Sequence, residues 1–374
     1  MITAHPPMNQ ALELAAQALF LSNPNPRVGC VITAADARVL GCGFTQQAGG
    51  PHAEVMALRD AAAQGREVRG ATAWVTLEPC AHQGRTGPCC DALIAAGVAR
   101  VVASIADPNP LVAGQGFARL RAAGVQVEVG PGAAASRELN IGFFSRMMRA
   151  TPWVRMKAAT SLDGVAALAN GASQWITSPE ARADGHTWRA RACAVLTGVG
   201  TVLADDPLLN VRGVATMRQP HLVIVDSRLR TLPGARLFDV PDRQVWIYAA
   251  REDAAAAGAL RARGATVSLL PGADGRVDLH ALLRDLAARS VNELHLEAGP
   301  RLGGAFVQAG LVDELLLYLA PMLLGSGGQQ LADWGPLQAL SQGLGLEWQS
   351  VQRVGPDLRL LTRAKGRADF SDLE

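Results

Sequence analysis

The chain shows no marked excess of charge. Its 35 Lys and Arg against 33 Asp and Glu leave a net charge of +2 over 374 residues, and no long basic run stands out. Both observations speak against a nucleic-acid binder whose affinity rests on neutralising phosphates. No stretch approaches about 18 uninterrupted apolar residues, so no membrane-spanning helix is expected. Residues 1–20 lack a basic start and a clean apolar core, so no signal peptide is expected. Glycine (39) and proline (21) are plentiful but have no period, which excludes a collagen-like chain. There is no internal repeat and no low-complexity tract beyond alanine-rich helices. What remains is a chain that is 49% hydrophobic, enough for real cores. At about 150 residues per domain, two or three domains are expected.

Six cysteines stand at positions 30, 42, 80, 89, 90 and 193. Without a signal peptide, a cytoplasmic location is the better expectation. There, clustered cysteines more often mean metal or catalysis than disulfides.

Strand-like and helix-like segments alternate. In the first half, strands are predicted at 28–33, 39–44, 71–77, 100–105 and 125–129, with helices at 8–21, 53–63, 89–96 and 119–123. This is the pattern of a three-layer α/β domain. The second half opens near Thr151-Pro152, since proline disfavours a helical residue before it. Strands are predicted at 154–159, 194–197, 221–225, 245–248, 266–270, 293–297 and 314–319, with helices at 179–191, 253–263, 279–288 and 302–309. The domain boundary falls within 136–152 and is placed at 1–148 and 149–374.

The strongest motif is His52-Ala53-Glu54 followed by Pro79-Cys80 and by Cys89. One His and two Cys make three zinc ligands and leave the fourth tetrahedral position to water, as catalytic zinc requires. Glu54 could reach that water without ligating the metal and pass protons. His52 and Cys89 sit at predicted helix starts, whose field favours a Cys89 thiolate. A closed structural zinc site would need a fourth ligand, and Cys90, adjoining Cys89, would point elsewhere. For Cys30, Cys42, Cys90 and Cys193 the plain reading is a small packed side chain.

These residues resemble the cytidine-deaminase superfamily, with its H-x-E…P-C-x-x-C signature. Here eight residues, not two, separate Cys80 from Cys89. The stretch 78–90, with Asn23-Pro24-Asn25-Pro26-Arg27-Val28-Gly29-Cys30 and Asp107-Pro108-Asn109-Pro110, is similar to the riboflavin-biosynthesis pyrimidine deaminases. The resemblance implies one zinc ion per chain and a small phosphorylated pyrimidine as substrate. It also makes Asn25 a substrate contact, where position alone suggests a turn. His82 and Arg85 are either a solvated loop or substrate contacts. Asp107 and Asn109 follow a strand end, where turn chemistry and ligand contact are both open.

The second half carries 154–164, Ser173-Gln174-Trp175-Ile176-Thr177, Asp205-Asp206-Pro207 and Glu297-Ala298-Gly299-Pro300-Arg301-Leu302-Gly303-Gly304-Ala305. In the last, an apolar strand runs into glycines and then a helix, a place where backbone N–H groups can meet a pyrophosphate. Neither this stretch nor Gly198-Val199-Gly200 completes G-x-G-x-x-G, so a standard Rossmann domain is not supported. Together the segments look like the reductase domain fused to those deaminases, whose fold is similar to dihydrofolate reductase. That resemblance implies NADPH and a ribosylamino-pyrimidine phosphate. It assigns Lys157 to catalysis. Ala159, Trp175, Thr201, Asp205, Ser227 and residues Gly299 to Ala305 would line the cofactor. Asp163, Ser173, Arg189, Leu209, Arg212 and Glu297 would meet substrate, the arginines through its phosphate. Trp175 as simple core and Asp205 as a turn residue are the bland alternatives.

The combined expectation is a deaminase–reductase that avoids nucleic acid and membrane. It would pair as a dimer through the reductase domain, with the stripe 315–319 as one surface that could do so. The competing function is a nucleoside or tRNA deaminase with a non-catalytic C-terminal domain.

Overall fold

The structure, a computed structural model, describes residues 3–81, 87–110 and 112–370. The chain divides into two compact units, Met1–Arg149 and Ala150–Glu374.

In the first unit, α1 (Pro6–Gln17) leads to β1 (Gly29–Thr33) and β2 (Val39–Phe44). Then come α2 (Ala53–Ala63), β3 (Thr72–Val75), α3 (Cys89–Ala95), β4 (Arg100–Ala103), α4 (Gln115–Ala122) and β5 (Gln126–Val129). The sheet order is β2-β1-β3-β4-β5, with β1 antiparallel to β2 and β3 and the rest parallel. Helix α1 starts earlier than predicted because Pro6 and Pro7 occupy its first turn, where a missing N–H costs nothing. Two helices fill the predicted boundary region, α5 (Ala133–Leu139) and α6 (Ile141–Arg149). Met8, Ala11, Val31 and Val102 form part of the core. Helix α2 lies directly on β2: a Cβ on Gly43 would stand 2.4 Å from the Ala53 carbonyl oxygen. This contact fixes the start of α2, where the metal motif begins.

The second unit starts with β6 (Trp153–Ser161), β7 (Val165–Ala167), α7 (Pro179–Arg191), β8 (Ala194–Gly198), α8 (Val199–Asp205), β9 (His221–Val225) and β10 (Val245–Ala249). It continues with α9 (Ala254–Ala262), β11 (Ala265–Leu269), α10 (Leu279–Ala288), β12 (Glu293–Leu296) and α11 (Pro300–Gln308). It closes with β13 (Glu314–Ala320), β14 (Gln329–Gln330), β15 (Leu346–Val354) and β16 (Asp357–Ala364). The large sheet runs β11-β10-β9-β8-β12-β6-β13-β16-β15, parallel through β13, with β16 and β15 added antiparallel. β14 and β7 form a separate pair. Ser178, Asp253 and Asp278 cap α7, α9 and α10 by accepting backbone N–H groups.

The hairpin β15–β16 escaped the sequence reading. Most of β15 is exposed on both faces, so the strand carries no alternating pattern. The stripe 315–319 is an interior strand, with Leu316 and Tyr318 buried on one face and Leu315, Leu317 and Leu319 half-buried on the other.

Charge is buried in this unit. Arg155 (1% exposed) bonds Glu314 and donates to Glu293 at 2.9 Å. Arg191 reaches Glu293 at 2.7 Å, and Arg363 reaches Glu314 at 3.0 Å. Arg367 meets buried Asp313 at 2.6 Å. Among the described residues, no helix is long and apolar enough to cross a membrane.

Candidate active sites

In the first unit the fold gathers His52, Cys80 and Cys89. Each offers a ligand atom, and these atoms lie within 4.8 Å of one another. His52 stands at the N-cap of α2, Cys80 lies in the loop between β3 and α3, and Cys89 is the first residue of α3. His52 Nδ1 lies 3.6 Å from Cys80 Sγ and 3.3 Å from Cys89 Sγ. Bond lengths of about 2.0–2.1 Å (N) and 2.3 Å (S) at tetrahedral angles put such ligand atoms roughly 3.6 Å apart. The trio therefore fits a zinc ion.

Without metal the two thiols share protons as a pair. Cys80, beside the Cys89 thiol and accepting the Cys89 backbone N–H at 3.3 Å, is lowered, and Cys89 is raised by the same contact and by burial. His52 is raised by its bond to Cys80. Glu54, in the first turn of α2, is 3% exposed, and burial with the Cys80 charge pushes its carboxyl up to about 7. Cys90 turns away, its Sγ donating to the Pro79 carbonyl at 3.1 Å. All six cysteines are free.

The remaining candidates are placed as follows. Asn25 makes a turn, its backbone N–H donating to Ser22 O at 2.8 Å, and the residue is half-buried. Asp107 is buried, its Oδ1 accepts the Asn109 N–H at 2.8 Å, and burial raises it to about 7. His82 and Arg85 lie outside the described residues.

In the second unit one cleft of about 2440 Å³ opens at the carboxyl ends of the parallel strands, the usual ligand position in such sheets. Lys157, Ala159, Ser173, Trp175, Arg189, Thr201, Asp205, Leu209, Arg212, Ser227, Glu297, Gly299, Pro300, Arg301, Leu302 and Ala305 all line it. The start of α11 faces this cleft, and a Cβ on Gly299 or Gly200 would meet open space. Backbone N–H groups at these two places can approach a ligand, as a dinucleotide phosphate requires. Trp175 is 67% exposed, so the core alternative fails, and the Arg182 guanidinium lies 4.3 Å over its ring.

Several of these candidates are already engaged within the fold. Asp163 is not part of the cleft lining. It accepts from Ser161 Oγ at 2.5 Å and from the Gly325 N–H at 2.7 Å, bonds that hold its carboxyl down at about 2. Gly303 and Gly304 lie inside α11, because Pro300 starts that helix two residues earlier than predicted. Their missing side chains make room for Met156 and for the Asp333 backbone, which a Gly304 Cβ would meet at 1.8 Å. Arg189 is not a free phosphate ligand: its Nε and Nη2 donate to Glu297 at 2.5 and 2.7 Å. Glu297 is committed to the same pair. Burial would push its carboxyl up, but Arg189 holds it well below the usual range. His295 Nε2 stands 3.0 Å from the same carboxylate. Burial lowers Lys157, opposed by Glu297.

Sequence reasoning passed over Glu78, which anchors the 107–117 segment, and Arg243, which donates to the carbonyls of Leu208, Leu209 and Leu237. The only signal for Glu78 was its place before Pro79-Cys80. Arg243 had none, since its partners are backbone atoms.

Two family models match the chain: the cytidine and deoxycytidylate deaminase zinc-binding region over residues 1–105, and the RibD C-terminal domain over residues 152–360. The riboflavin biosynthesis protein RibD of Escherichia coli is 46% identical over 94% of this chain and 97% of its own. The RibD structure from Acinetobacter baumannii superposes with a TM-score of 0.88 at 40% identity, covering 96% of this chain and 98% of that one. A Thermotoga maritima structure described as a diaminohydroxyphosphoribosylaminopyrimidine deaminase and 5-amino-6-(5-phosphoribosylamino)uracil reductase gives 0.82 at 31%, covering 96% and 97%. The expected fold classes hold: a deaminase-like first unit and a dihydrofolate-reductase-like second. Near full-length identity and both family matches place the chain in the RibD family, the two-domain deaminase–reductases of riboflavin biosynthesis.

Proposed function

We propose that the first unit hydrolytically deaminates 2,5-diamino-6-(5-phospho-ribosylamino)pyrimidin-4-one, using one zinc ion held by His52, Cys80 and Cys89. The second unit then reduces the ribosyl group of the product to ribityl phosphate with NADPH. The observation that carries this reading is the tetrahedral-edge spacing of the three ligand atoms beside a buried Glu54. When bound, zinc supplies an acidified water and Lewis-acid polarisation. Glu54, whose carboxyl titrates near neutrality, takes a proton and returns it to the departing amine. Asn25, Asp107 and Asn109 orient the substrate, and His82 and Arg85 contribute contacts from the loop between the two cysteines.

In the cleft, the start of α11 from Gly299 to Leu302, with Ala305, would bind the NADPH pyrophosphate. Ala159, Trp175, Thr201, Asp205 and Ser227 would line the remainder. NADPH, when bound, supplies the hydride. Lys157 meets the sugar end of the substrate, with the Glu297 carboxylate favouring its charged form. Arg212, exposed at the rim, is left as the guanidinium for the substrate phosphate, with Ser173 and Leu209 completing that wall.

The edge strand β15 bears exposed Trp348 and Val351, which supports a dimer through this unit. Six free thiols suit the cytoplasm.

The test supplies the diaminopyrimidine phosphate with NADPH and follows ammonia, NADPH absorbance and metal content together. One ammonia and one NADPH per turnover are expected. Ammonia from cytidine or tRNA, but none from the phosphorylated pyrimidine, would overturn the reading.

A further inference from the structure

Glu78 precedes the Pro79-Cys80 pair and is 4% exposed. Its Oε2 accepts the backbone N–H groups of Asp107 at 3.1 Å and Gly114 at 3.0 Å. Its Oε1 accepts those of Gly116 at 2.9 Å and Phe117 at 3.2 Å. Two oxygens with about four lone-pair sites are thus fully used. No salt bridge among the described residues involves this carboxylate. The bonds are charge-assisted, the stronger class.

The geometry has a direction. Gly116 and Phe117 are in the first turn of α4, whose N-terminal amides have no partner within the helix. The cap position is Gly114, with a left-handed φ of +76° and no side chain to bond them. Glu78 does this from outside. A Cβ on Gly116 would stand 2.0 Å from the Pro79 carbonyl oxygen, so the two backbones touch here. The Glu78 N–H donates to Ile105 O at 3.0 Å, which ties down its own main chain. One carboxylate therefore bolts both ends of the segment carrying Asp107 and Asn109 to the loop carrying Cys80.

We propose that Glu78 is a positioning residue of the deaminase, holding Asp107 and Asn109 in register with the metal-ligand loop so that they can grip the substrate. It acts through that segment and touches no reacting atom. The proposal rests on the substrate-contact reading of Asp107 and Asn109 given above.

Glu78→Gln keeps the volume but offers one acceptor oxygen, and its NH₂ faces two N–H donors. One of the two amide pairs must let go. In the full-length zinc-loaded protein, KM for deamination should rise about tenfold, with kcat within about threefold. Zinc should stay at one per chain and the reductase should be unchanged. Amides of Asp107, Gly114, Gly116 and Phe117 should exchange faster while α2 stays protected. Glu78→Asp keeps both oxygens one methylene short, should fall between, and serves if the Gln variant folds poorly. Asn109→Ala should also raise KM, and the Glu78→Gln/Asn109→Ala double variant should be no worse than the larger single effect. Wild-type KM in both Glu78 variants, with Asn109→Ala impaired, overturns the positioning role alone. Loss of zinc and kcat at unchanged KM also overturns it, since Glu78 would then serve the metal loop. An Asn109→Ala variant with wild-type KM overturns the substrate-contact reading and the proposal with it.

Discussion

Arg189 and Glu297 grip each other through two parallel hydrogen bonds of 2.5 and 2.7 Å at the floor of the reductase cleft. Both side chains are mostly buried, at 17% and 13% exposed. Removing one leaves the other charged and enclosed, which costs about 3–5 kcal/mol for a fully buried pair and somewhat less here. Arg189→Ala should therefore destabilise the second unit and depress NADPH oxidation while deamination survives. Urea unfolding and the two assays check this.

The same pair sets a pH dependence. Glu297 is held below its unfolded value, so its contribution is fully present above the ordinary glutamate range near about 4.3. It fades as pH falls below that range toward the folded value. Wild type should lose more stability than Glu297→Gln between about pH 5.3 and about pH 3.3, one decade either side of that value. Parallel denaturation curves at the two pH values would remove the pair from the account.

Glu54→Gln should reduce ammonia release by about 10²–10⁴-fold, the usual share of a general acid–base group. Zinc content and reduction of chemically deaminated substrate should persist. Cys80→Ser should instead lose zinc and deamination together. Metal analysis beside both assays separates the two.

Lys157→Ala should spare deamination and lower kcat/KM for reduction by at least about tenfold, since a charged hydrogen bond to substrate is worth about 1.5–3 kcal/mol. Unchanged NADPH turnover would take Lys157 out of the site.

Gly304→Ala drives a methyl into the Asp333 backbone. Overpacking of this kind costs about 1–3 kcal/mol. The start of α11 must shift, so NADPH affinity should fall more than substrate affinity. Equilibrium titration with NADPH checks it.

The His52–Cys80–Cys89 cluster was readable from sequence because zinc chemistry permits few residue types and two of the three, His52 and Cys89, sit at helix starts. The cleft lining was readable because its residues cluster at strand ends. Their mutual bonds were not: nothing in the string shows that Arg189 meets Glu297, 108 residues away. Gly303 and Gly304 looked like a phosphate loop because glycine signals close approach without naming what approaches. The hairpin β15–β16 stayed hidden because a strand bare on both faces has no period to detect.

The buried carboxylates Glu314 and Asp313 receive cations from Arg363 and Arg367, supplied by the last strand and the turn after it. On the ribosome these residues emerge after every other strand of the second unit's sheet. The first unit has all its strands and helices by Arg149 and can fold while translation proceeds. The second must wait, with Glu314 still short of one of its two arginines, Asp313 short of Arg367, and the strand edge that β16 will cover still open. Quality control of this enzyme therefore falls on its second half, and premature termination there should yield a chain with a sound deaminase fold tethered to an unfinished reductase.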